Sequence, residues 1–386
     1  MTLYPAQSPR RRAHARRRFA AVAATASLAL ATPVAVGPAA VADAQFPSTE
    51  GNTNTASLMT YDSMIAELEK IEQTSKHGVD VFTLAEAGTE FTVSEQGRDL
   101  YVATVGDGPE DVWLQGRIHG NEPYGGESLM ALLKQLGSNN SATYQQLRQA
   151  YTFHIIPMYN PDGSEANIRH TVLQDGSEER IDLNRDWMEG KFAAVESEAF
   201  YEYWTMVDPD FGVDIHHQGL KTEYGTGDDV TLSLGISLAP GGPTLPTLAG
   251  GEYDVLTRQM NVHVFDELSR YGSINIDRYQ VSGSYEIDIR GGVVSAMMLG
   301  LNHRGLNPEG HSNPMVFFET SGNSSDGSLG QKARGKSIQQ NLRGLEALLT
   351  GMASGEVQQE DPERWEEIPH APTTGYLTDD GIIPVG

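Results

Sequence analysis

The sequence predicts a single α/β domain, in which a central, twisted, mixed and largely parallel sheet is flanked by helices. Short apolar runs typical of buried strands alternate with longer stretches whose apolar residues recur at helical spacing. This alternation favours strands joined by helical crossovers, and hence a largely parallel sheet. Polar residues follow several of the apolar runs, and open sheets of this kind place their functional sites at strand ends.

Residues 1–44 are expected to be an export signal and not part of the fold. Arginines at 10–12 and 16–18 precede the uncharged, Ala-rich run 20–41, and small residues at 42 and 44 suit cleavage before Gln45. The arginines at 16–18 resemble a twin-arginine export signal, and an uncleaved membrane anchor is the alternative. We therefore expect a secreted protein, since no later stretch is long and apolar enough to span a bilayer.

The composition excludes several kinds of partner and ligand. The chain has 27 basic and 52 acidic residues, a net charge of −25, and loss of residues 1–44 would remove more arginines than acids. Because such a surface repels polyanions, nucleic acid is not expected as a partner. The chain contains no cysteine, so neither disulfides nor thiolate ligands can form.

Before residue 160, apolar spacing predicts helices over 61–73, with Asp62 as N-cap, and over 127–136. Gly-containing turns separate apolar runs that are typical of strands. These predicted strands lie at 79–84, 91–93, 99–105, 112–118 and 152–157. Residues 45–56, rich in Ser, Thr and Asn, are expected to be a flexible linker to a domain over 57–352.

After a strong turn signal at 160–163, helices and strands are predicted to alternate to the end of the domain. The predicted helices cover 192–207, 251–271 and 329–352, and the predicted strands cover 211–216 and 314–319. The Gly- and Pro-rich stretch 219–251 is expected to be a long surface loop. Residues 353–386 are acidic and contain Pro, so they are expected to form a loosely packed tail.

Three residues at the ends of predicted strands suggest a metal site. His119 and Glu122 lie at the turn after the 112–118 strand, and imidazole plus carboxylate suits a catalytic zinc with three protein ligands. His216 is the expected third ligand, with His217 as substitute, because successive strand residues point to opposite faces. A His-x-x-Glu pair alone is common, so a hydrogen-bonded histidine beside a solvated carboxylate is the alternative.

Taken in order, six motifs resemble those of zinc metallocarboxypeptidases of the carboxypeptidase A/B type. The resemblance extends over roughly 55–350, and six weak motifs in the right order are far more specific than one. The motifs are His119-Gly-Asn-Glu122-Pro, Asn160-Pro-Asp-Gly163, Asp182-Leu-Asn184-Arg185-Asp-Trp187, Asp214-Ile-His216, Tyr279-Gln-Val-Ser-Gly283 and Phe318-Glu319.

The resemblance implies a metal centre and a general base. His119, Glu122 and His216 would hold one zinc ion per chain, and Asp182 would orient the first histidine. Glu319 would act as general base toward a zinc-activated water and would then protonate the leaving amine. Its place at the end of an otherwise apolar strand can raise the pKa of its carboxyl group, as such a base requires.

The resemblance also implies residues that bind substrate. Asn184 and Arg185 would bind the terminal carboxylate of a peptide. Alternatively, they could have a structural role at the surface, as a helix cap and a salt bridge. Arg169 would polarise the scissile carbonyl, with Arg180 as its competitor for that role. Tyr279 would close over the bound substrate, unless it is simply a packed aromatic residue.

The sequence therefore favours an exported zinc carboxypeptidase that acts on peptides with a free terminal carboxylate. The alternatives are a zinc amidohydrolase on the same scaffold, acting on cell-wall peptides or N-acyl amino acids, and a non-catalytic binding protein. Terminal-residue specificity stays open, because the segment 283–292 does not align with the family's specificity pocket. Glu286 or Asp288 could lie in that pocket and favour a basic terminal residue, or could face solvent.

Overall fold

The computed structural model describes residues 58–322 and 331–385, so the predicted export signal at 1–44 and linker at 45–56 lie outside the described residues. The helices are α1 (Tyr61–Thr74), α2 (Leu84–Ala87), α3 (Pro123–Ser138), α4 (Ala142–Ala150), α5 (Pro161–Ala166), α6 (Val195–Val207), α7 (Glu252–Ser269), α8 (Val293–Leu299) and α9 (Gln331–Ser354). None of these described helices combines the length and apolarity that crossing a bilayer requires.

The strands form one large sheet and two small ones. They are β1 (Asp80–Thr83), β2 (Tyr101–Val105), β3 (Glu110–Gly116), β4 (Tyr151–Ile156), β5 (Thr171–Val172), β6 (Arg180–Ile181), β7 (Phe211–Gln218), β8 (Leu232–Gly235), β9 (Ile276–Arg278), β10 (Tyr285–Asp288), β11 (Met315–Ser321), β12 (Gly375–Thr378) and β13 (Gly381–Pro384).

The large sheet has eight strands in the order β1-β2-β4-β3-β7-β11-β8-β9. Its centre, β4-β3-β7-β11, is parallel throughout, whereas β2 joins β4 and β8 joins β11 in antiparallel pairs. The predicted α/β class with a largely parallel mixed sheet is therefore confirmed. Parallel central strands bring the carboxyl ends of β3, β7 and β11 to the same edge, which is where a site can form.

The central strand β3 shows why this sheet forms. Val112, Trp113 and Leu114 are all fully buried, so both faces of the strand are covered, as is usual for a parallel sheet. Helix α3 packs close to the sheet because Gly125 has no side chain. A Cβ atom there would lie 2.7 Å from the carbonyl oxygen of Ile215 in β7.

Two local expectations at the start of the domain are wrong. The N-cap of α1 is Thr60 and not Asp62, because Thr60 and Ser63 form a reciprocal capping box. The predicted strand at 91–93 is only a single bridge between Val93 and Asp99, since the chain turns back too soon for a ladder. Helix α4, which begins at the cap Ser141, was not predicted.

The sequence suggested that 219–251 is a long surface loop, but part of this stretch is a buried strand. Residues 232–235 form the buried strand β8, which pairs with β11 on one side and β9 on the other. The strand has only four residues, and its Leu-Ser-Leu-Gly sequence is stabilised by pairing with its neighbours and not by a strong local preference.

The expectation of a loosely packed tail after 353 is also wrong. Val357, Trp365 and Ile368 are buried in the main core, and the guanidinium of Arg278 lies 4.9 Å from the ring centre of Trp365. Farther on, β12 and β13 extend a small sheet that begins with β10. Although the segment is acidic overall, these few apolar residues anchor it to the domain.

Candidate metal centre and substrate cleft

Side chains from three neighbouring strands meet in one cleft of about 210 Å³. His119 and Glu122 follow β3, His216 lies in β7 and Glu319 lies in β11. In the parallel pairing of β7 with β11, Glu319 is the direct partner of His216, so both side chains point to the same face. The register of the sheet thus places these residues side by side.

The loop after β3 is held by its own backbone contacts. Arg117 adopts a positive φ of 58° and is buried, and its Nε donates to the carbonyl oxygen of Gly120 at 3.2 Å. Gly120 approaches α5 so closely that a Cβ atom there would lie 1.9 Å from the carbonyl carbon of Gly163. Glu122 is the N-cap of α3, with Pro123 next, so its carboxylate lies at the positive end of the helix.

The three predicted ligands form a compact cluster. Nδ1 of His119 lies 2.9 Å from Oε1 of Glu122 and 3.2 Å from Nδ1 of His216. The same nitrogen of His216 lies 3.2 Å from Oε2 of Glu122. All three residues are buried, and theirs is the single candidate metal cluster found in the described part of the chain.

The contacts of the outward-facing nitrogens show that this cluster fits a metal ion. Nε2 of His119 lies 3.2 Å from a carboxylate oxygen of Asp182, and Nε2 of His216 lies 2.8 Å from one of Asp214. A neutral imidazole that donates from Nε2 presents a lone pair at Nδ1. Two such lone pairs and a carboxylate facing each other in a buried space form the donor set that zinc takes.

The pKa values of the cluster show how its charges depend on one another. Burial alone would lower the pKa of His216, but Asp214 and Glu122 outweigh burial and raise it well above its usual value. Burial would likewise raise the pKa of Glu122, yet His119 and His216 lower it well below the usual range. The cluster therefore keeps an ionised carboxylate beside positive charge, which a bound cation would also supply.

His217, the substitute ligand, lies outside the cluster. Its Nε2 accepts a hydrogen bond from the backbone N–H of Tyr124 at 3.0 Å, and its Nδ1 lies 2.8 Å from the carbonyl oxygen of Gly322. Both ring nitrogens are thus engaged by backbone, and burial lowers the pKa of this histidine to about 4. Its backbone N–H donates to Glu122 at 3.0 Å, so His217 supports a ligand from behind.

Asp182 and Arg169 form a second layer around His119. Nε and Nη2 of Arg169 donate to one oxygen of Asp182 at 3.0 and 2.9 Å, while Nη1 lies 3.1 Å from Nδ1 of His119. Arg169 lines the cleft with 37% of its side chain exposed. Arg180, the competitor, lies exposed on β6 and is not among the described residues that line the cleft.

Glu319 lies beside the cluster and is buried. Its Oε2 has no hydrogen-bond partner among the described residues. Burial raises the pKa of Glu319 to about 8, with His216 acting against the rise and Glu122 adding to it. An unpaired carboxyl group with a pKa near neutral, next to a metal-binding cluster, is suited to proton transfer.

The remaining predicted residues, Asn184, Arg185 and Tyr279, line the same cleft. The side-chain oxygen of Asn184 accepts from the backbone N–H of Val293 at 3.0 Å, which fixes this side chain near His216. Arg185 follows on the same short helical turn. The ring of Tyr279 packs edge-on against Phe317, with 5.3 Å between ring centres, and the charge of Glu319 together with burial raises its pKa.

Glu286 and Asp288 occupy neither of the two positions that the sequence left open. Both are buried and do not face solvent, and both lie outside the described lining of the cleft. Glu286 accepts a hydrogen bond from Thr373 at 2.8 Å, and Asp288 accepts one from Thr244 at 2.6 Å. They are internal structural acids, because strand alternation turns them away from the cleft.

A buried polar chain behind His216 was not predicted. Trp113 donates to Gln115 at 2.7 Å, Gln115 donates to Asp214 at 2.9 Å, and Asp214 contacts His216. The spacing of Asp214 two residues before His216 on one strand puts both on one face, which is the signal that could have assigned Asp214 this role. Gln115 gave no such signal, since its contact depends on the pairing of β3 with β7.

The chain is similar to several zinc carboxypeptidases of known sequence. The family model described as "Zinc carboxypeptidase" (Peptidase_M14) matches residues 68–204. A probable carboxypeptidase 2 of Arthroderma benhamiae is 30% identical over 147 residues, which is 36% of this chain and 26% of that protein. The chain thus spans about a quarter of the length of the curated relatives that it matches.

Solved structures show the same fold. A metallo-carboxypeptidase from Burkholderia cenocepacia superimposes with a TM-score of 0.54 at 17% identity, over 76% of this chain and 69% of that one. Thrombin activatable fibrinolysis inhibitor gives a TM-score of 0.56 at 14% identity, over 81% of each chain. Since the family match ends at residue 204, the placement of His216 and Glu319 rests on the geometry described above.

A separate buried acid, Glu196, supports the β5–β6 hairpin that follows Arg169. Glu196, in the first turn of α6, accepts a hydrogen bond from Thr171 at 2.8 Å, two residues after Arg169. Its Oε2 has no partner in the described ranges. Burial, with a smaller effect from Asp162, raises the pKa of Glu196 to about 8.

Replacing His216 and His217 one at a time tests the choice of ligand. His216→Ala removes one of three donors, so the purified protein should lose most of its bound zinc. His217→Ala should retain most of it, because both ring nitrogens of His217 contact backbone atoms and its backbone N–H, which donates to Glu122, is kept in the variant. Metal content measured by elemental analysis decides, and full zinc occupancy in the His216→Ala protein would show that the ligand is wrongly assigned.

The raised pKa of Glu196 makes stability depend on pH. Because the folded protein holds the proton of Glu196 more tightly than the unfolded chain does, protonation of this group stabilises the fold. That stabilisation is fully present below the ordinary carboxyl pKa of 4.5 and is lost as pH rises toward 8. Over that window the free energy of unfolding should fall by about 1.4 kcal/mol per pH unit from this group. Urea denaturation of Glu196→Gln from pH 5 to 8 should show a flatter slope, whereas exposed Glu189→Gln should keep the wild-type slope. Equal slopes in all three proteins would contradict the assignment.

Proposed function

We propose that this protein is a zinc-dependent carboxypeptidase that hydrolyses the C-terminal peptide bond of peptides, because residues 68–204 match the zinc carboxypeptidase family model. One observation carries the proposal: a metal-binding cluster, an unpaired buried carboxyl group and an arginine line one cleft. His119, Glu122 and His216 form the cluster, Glu319 is the acid and Arg185 is the cation. Metal-dependent peptide hydrolysis at a free terminus can use all three: a metal ion to activate water, an acid to carry its proton and a cation to bind the carboxylate.

The cluster would hold one zinc ion per chain, because its three donor atoms all lie within 4.8 Å of one another. When bound there, zinc lowers the pKa of water toward neutrality and polarises a carbonyl group. Asp182 and Asp214 hold the two imidazole rings in the orientation that directs Nδ1 inward.

Glu319 acts as the general base and then as the general acid. It takes a proton from the attacking water, whose oxygen bonds to the scissile carbonyl carbon, and it returns that proton to the amine nitrogen as the C–N bond breaks. The products are a shortened peptide with a new carboxylate and a free amino acid. The buried position of Glu319 beside His216 suits a group that must hold a proton briefly near neutral pH.

Two arginines divide the recognition of substrate between them. Arg169 directs Nη1 toward the cluster and so stabilises negative charge that develops on the carbonyl oxygen. Arg185 and Asn184 also line the cleft and bind the terminal carboxylate, whose shape a planar guanidinium matches. Tyr279 covers the substrate from the side of Phe317.

We further propose that the protein is exported, on the evidence of the arginine-rich and Ala-rich residues 1–44. The secreted location would place it among extracellular peptides. None of the comparisons favours the alternative amidohydrolase.

Cleavage of matched peptides tests recognition of the terminus. Peptides with a free carboxylate should release their last amino acid, whereas the same peptides with a terminal amide should be poor substrates. Arg185→Ala should lower kcat/KM on the free peptides by about 10- to 100-fold, the loss expected for a charged hydrogen bond. Arg180→Ala, on the exposed hairpin, is the control and should not change it. If amidated peptides are cut equally well, exopeptidase action is wrong.

Replacing Glu319 by Gln keeps its shape and removes the base. Turnover should fall by about 10²- to 10⁴-fold or more, because the same group also protonates the leaving amine. Zinc content should be retained, while Glu122→Gln should lower zinc content and activity together. Turnover and bound zinc are measured on both variants. Near-normal turnover in Glu319→Gln, or loss of its zinc, would disprove the role of Glu319.

A further inference from the structure

Two kinds of residue line the cleft. The metal cluster, Glu319 and the two arginines are charged or polar. A second set is apolar: Val281, Ile287, Ile289, Phe317 and Leu377. Of these, Phe317 lies beside the cluster, with 6.2 Å between its ring centre and that of His216.

Alternation along β10 and the residue after it explains why this segment presents apolar side chains. Ile287 in β10 and Ile289 just after the strand both line the cleft, whereas Glu286 and Asp288 do not. Those two acids accept hydrogen bonds from Thr373 and Thr244. The segment 286–289 therefore presents aliphatic side chains to the cleft, although every second residue of it is acidic.

The far wall comes from the end of the chain. Leu377 lies on β12, which runs parallel to β10 with Leu377 directly opposite Ile287, so both side chains share one face. The hairpin β12–β13 is held to the cleft rim where the backbone N–H of Arg290 donates to Asp379 at 2.7 Å. This hairpin lies more than 150 residues beyond the range that matches the family model.

We infer that Leu377 and Ile287 form the pocket that receives the terminal side chain of the substrate, and that this pocket selects apolar terminal residues. The inference rests on the proposed function: with the terminal carboxylate on Arg185 and the scissile carbonyl at the cluster, the terminal side chain would face the wall formed by Ile287 and Leu377. A charged side chain would lose its hydration there without gaining an ionic partner.

The test compares kcat/KM for peptides that differ only in the last residue, which is Ala, Leu, Phe, Arg or Glu. Wild-type enzyme should prefer Leu and Phe to Arg and Glu by at least about 10- to 200-fold, the range that pocket fit can supply. Leu377→Ala enlarges the pocket and should shift the preference from Leu toward Phe. Leu377→Trp fills it and should suppress cleavage after Leu and Phe while sparing the Ala-terminated peptide.

Opposite shifts from two substitutions at one position cannot arise from unfolding, which would lower all rates together.

A third variant, Leu377→Asp, should raise cleavage of the Arg-terminated peptide, mainly through KM. Ile383→Ala is the control, because Ile383 lies exposed on β13 and is paired with Tyr376 on the other face of the hairpin. It should leave the selectivity of the enzyme unchanged.

The two proposals fail in different ways. If wild-type enzyme with zinc releases no amino acid from any free-carboxylate peptide, the proposed function itself is wrong. If it releases amino acids but all Leu377 variants keep the wild-type order of substrates, the hydrolase stands and the pocket assignment is overturned. A wild-type preference for Arg or Glu termini would also overturn it.

Discussion

The pairing of β7 with β11 is the constraint on which the cleft depends. Because the two strands are parallel and His216 is the direct partner of Glu319, a residue of the candidate metal cluster and a buried carboxyl group come to lie on one face of the sheet. A shift of one residue in either strand would turn one of these side chains to the opposite face. The buried apolar residues on both strands fix the register, so the relative positions of the site residues depend on the packing of the sheet.

The electrostatic design follows from burial. Acids at 122, 182, 214 and 319 lie close together around two histidines, and most of them are removed from water. Such a group is stable only if each charge is matched, and Arg169 and the imidazole rings supply part of the match. A cation bound at the cluster would supply more of the match, whereas Oε2 of Glu319 has no hydrogen-bond partner among the described residues.

How much the sequence could predict depends on how local the information was. Apolar runs that end in His or Glu located the central strands and their polar ends correctly, since burial on both faces leaves a local pattern. The four-residue strand β8 and the anchoring by Trp365 were missed, because their stability comes from partners distant in the chain. In the cleft, residue type identified the metal-binding set, whereas the lining by Leu377 depends on pairing across about 90 residues and left no local pattern.

The hairpin β12–β13 gives the cleft parts of unequal local stability. The metal cluster is built on the central strands of the large sheet, which can open only when the domain unfolds. The wall at Leu377 instead belongs to a three-stranded sheet whose last strand, β13, is exposed along its whole length. Elements with few buried contacts open at lower free energy than the core. With the roles proposed for the cluster and for Leu377, mild warming or low denaturant should therefore relax discrimination between substrates before hydrolysis is lost. Amide hydrogens of β13 should also exchange sooner than those of β7.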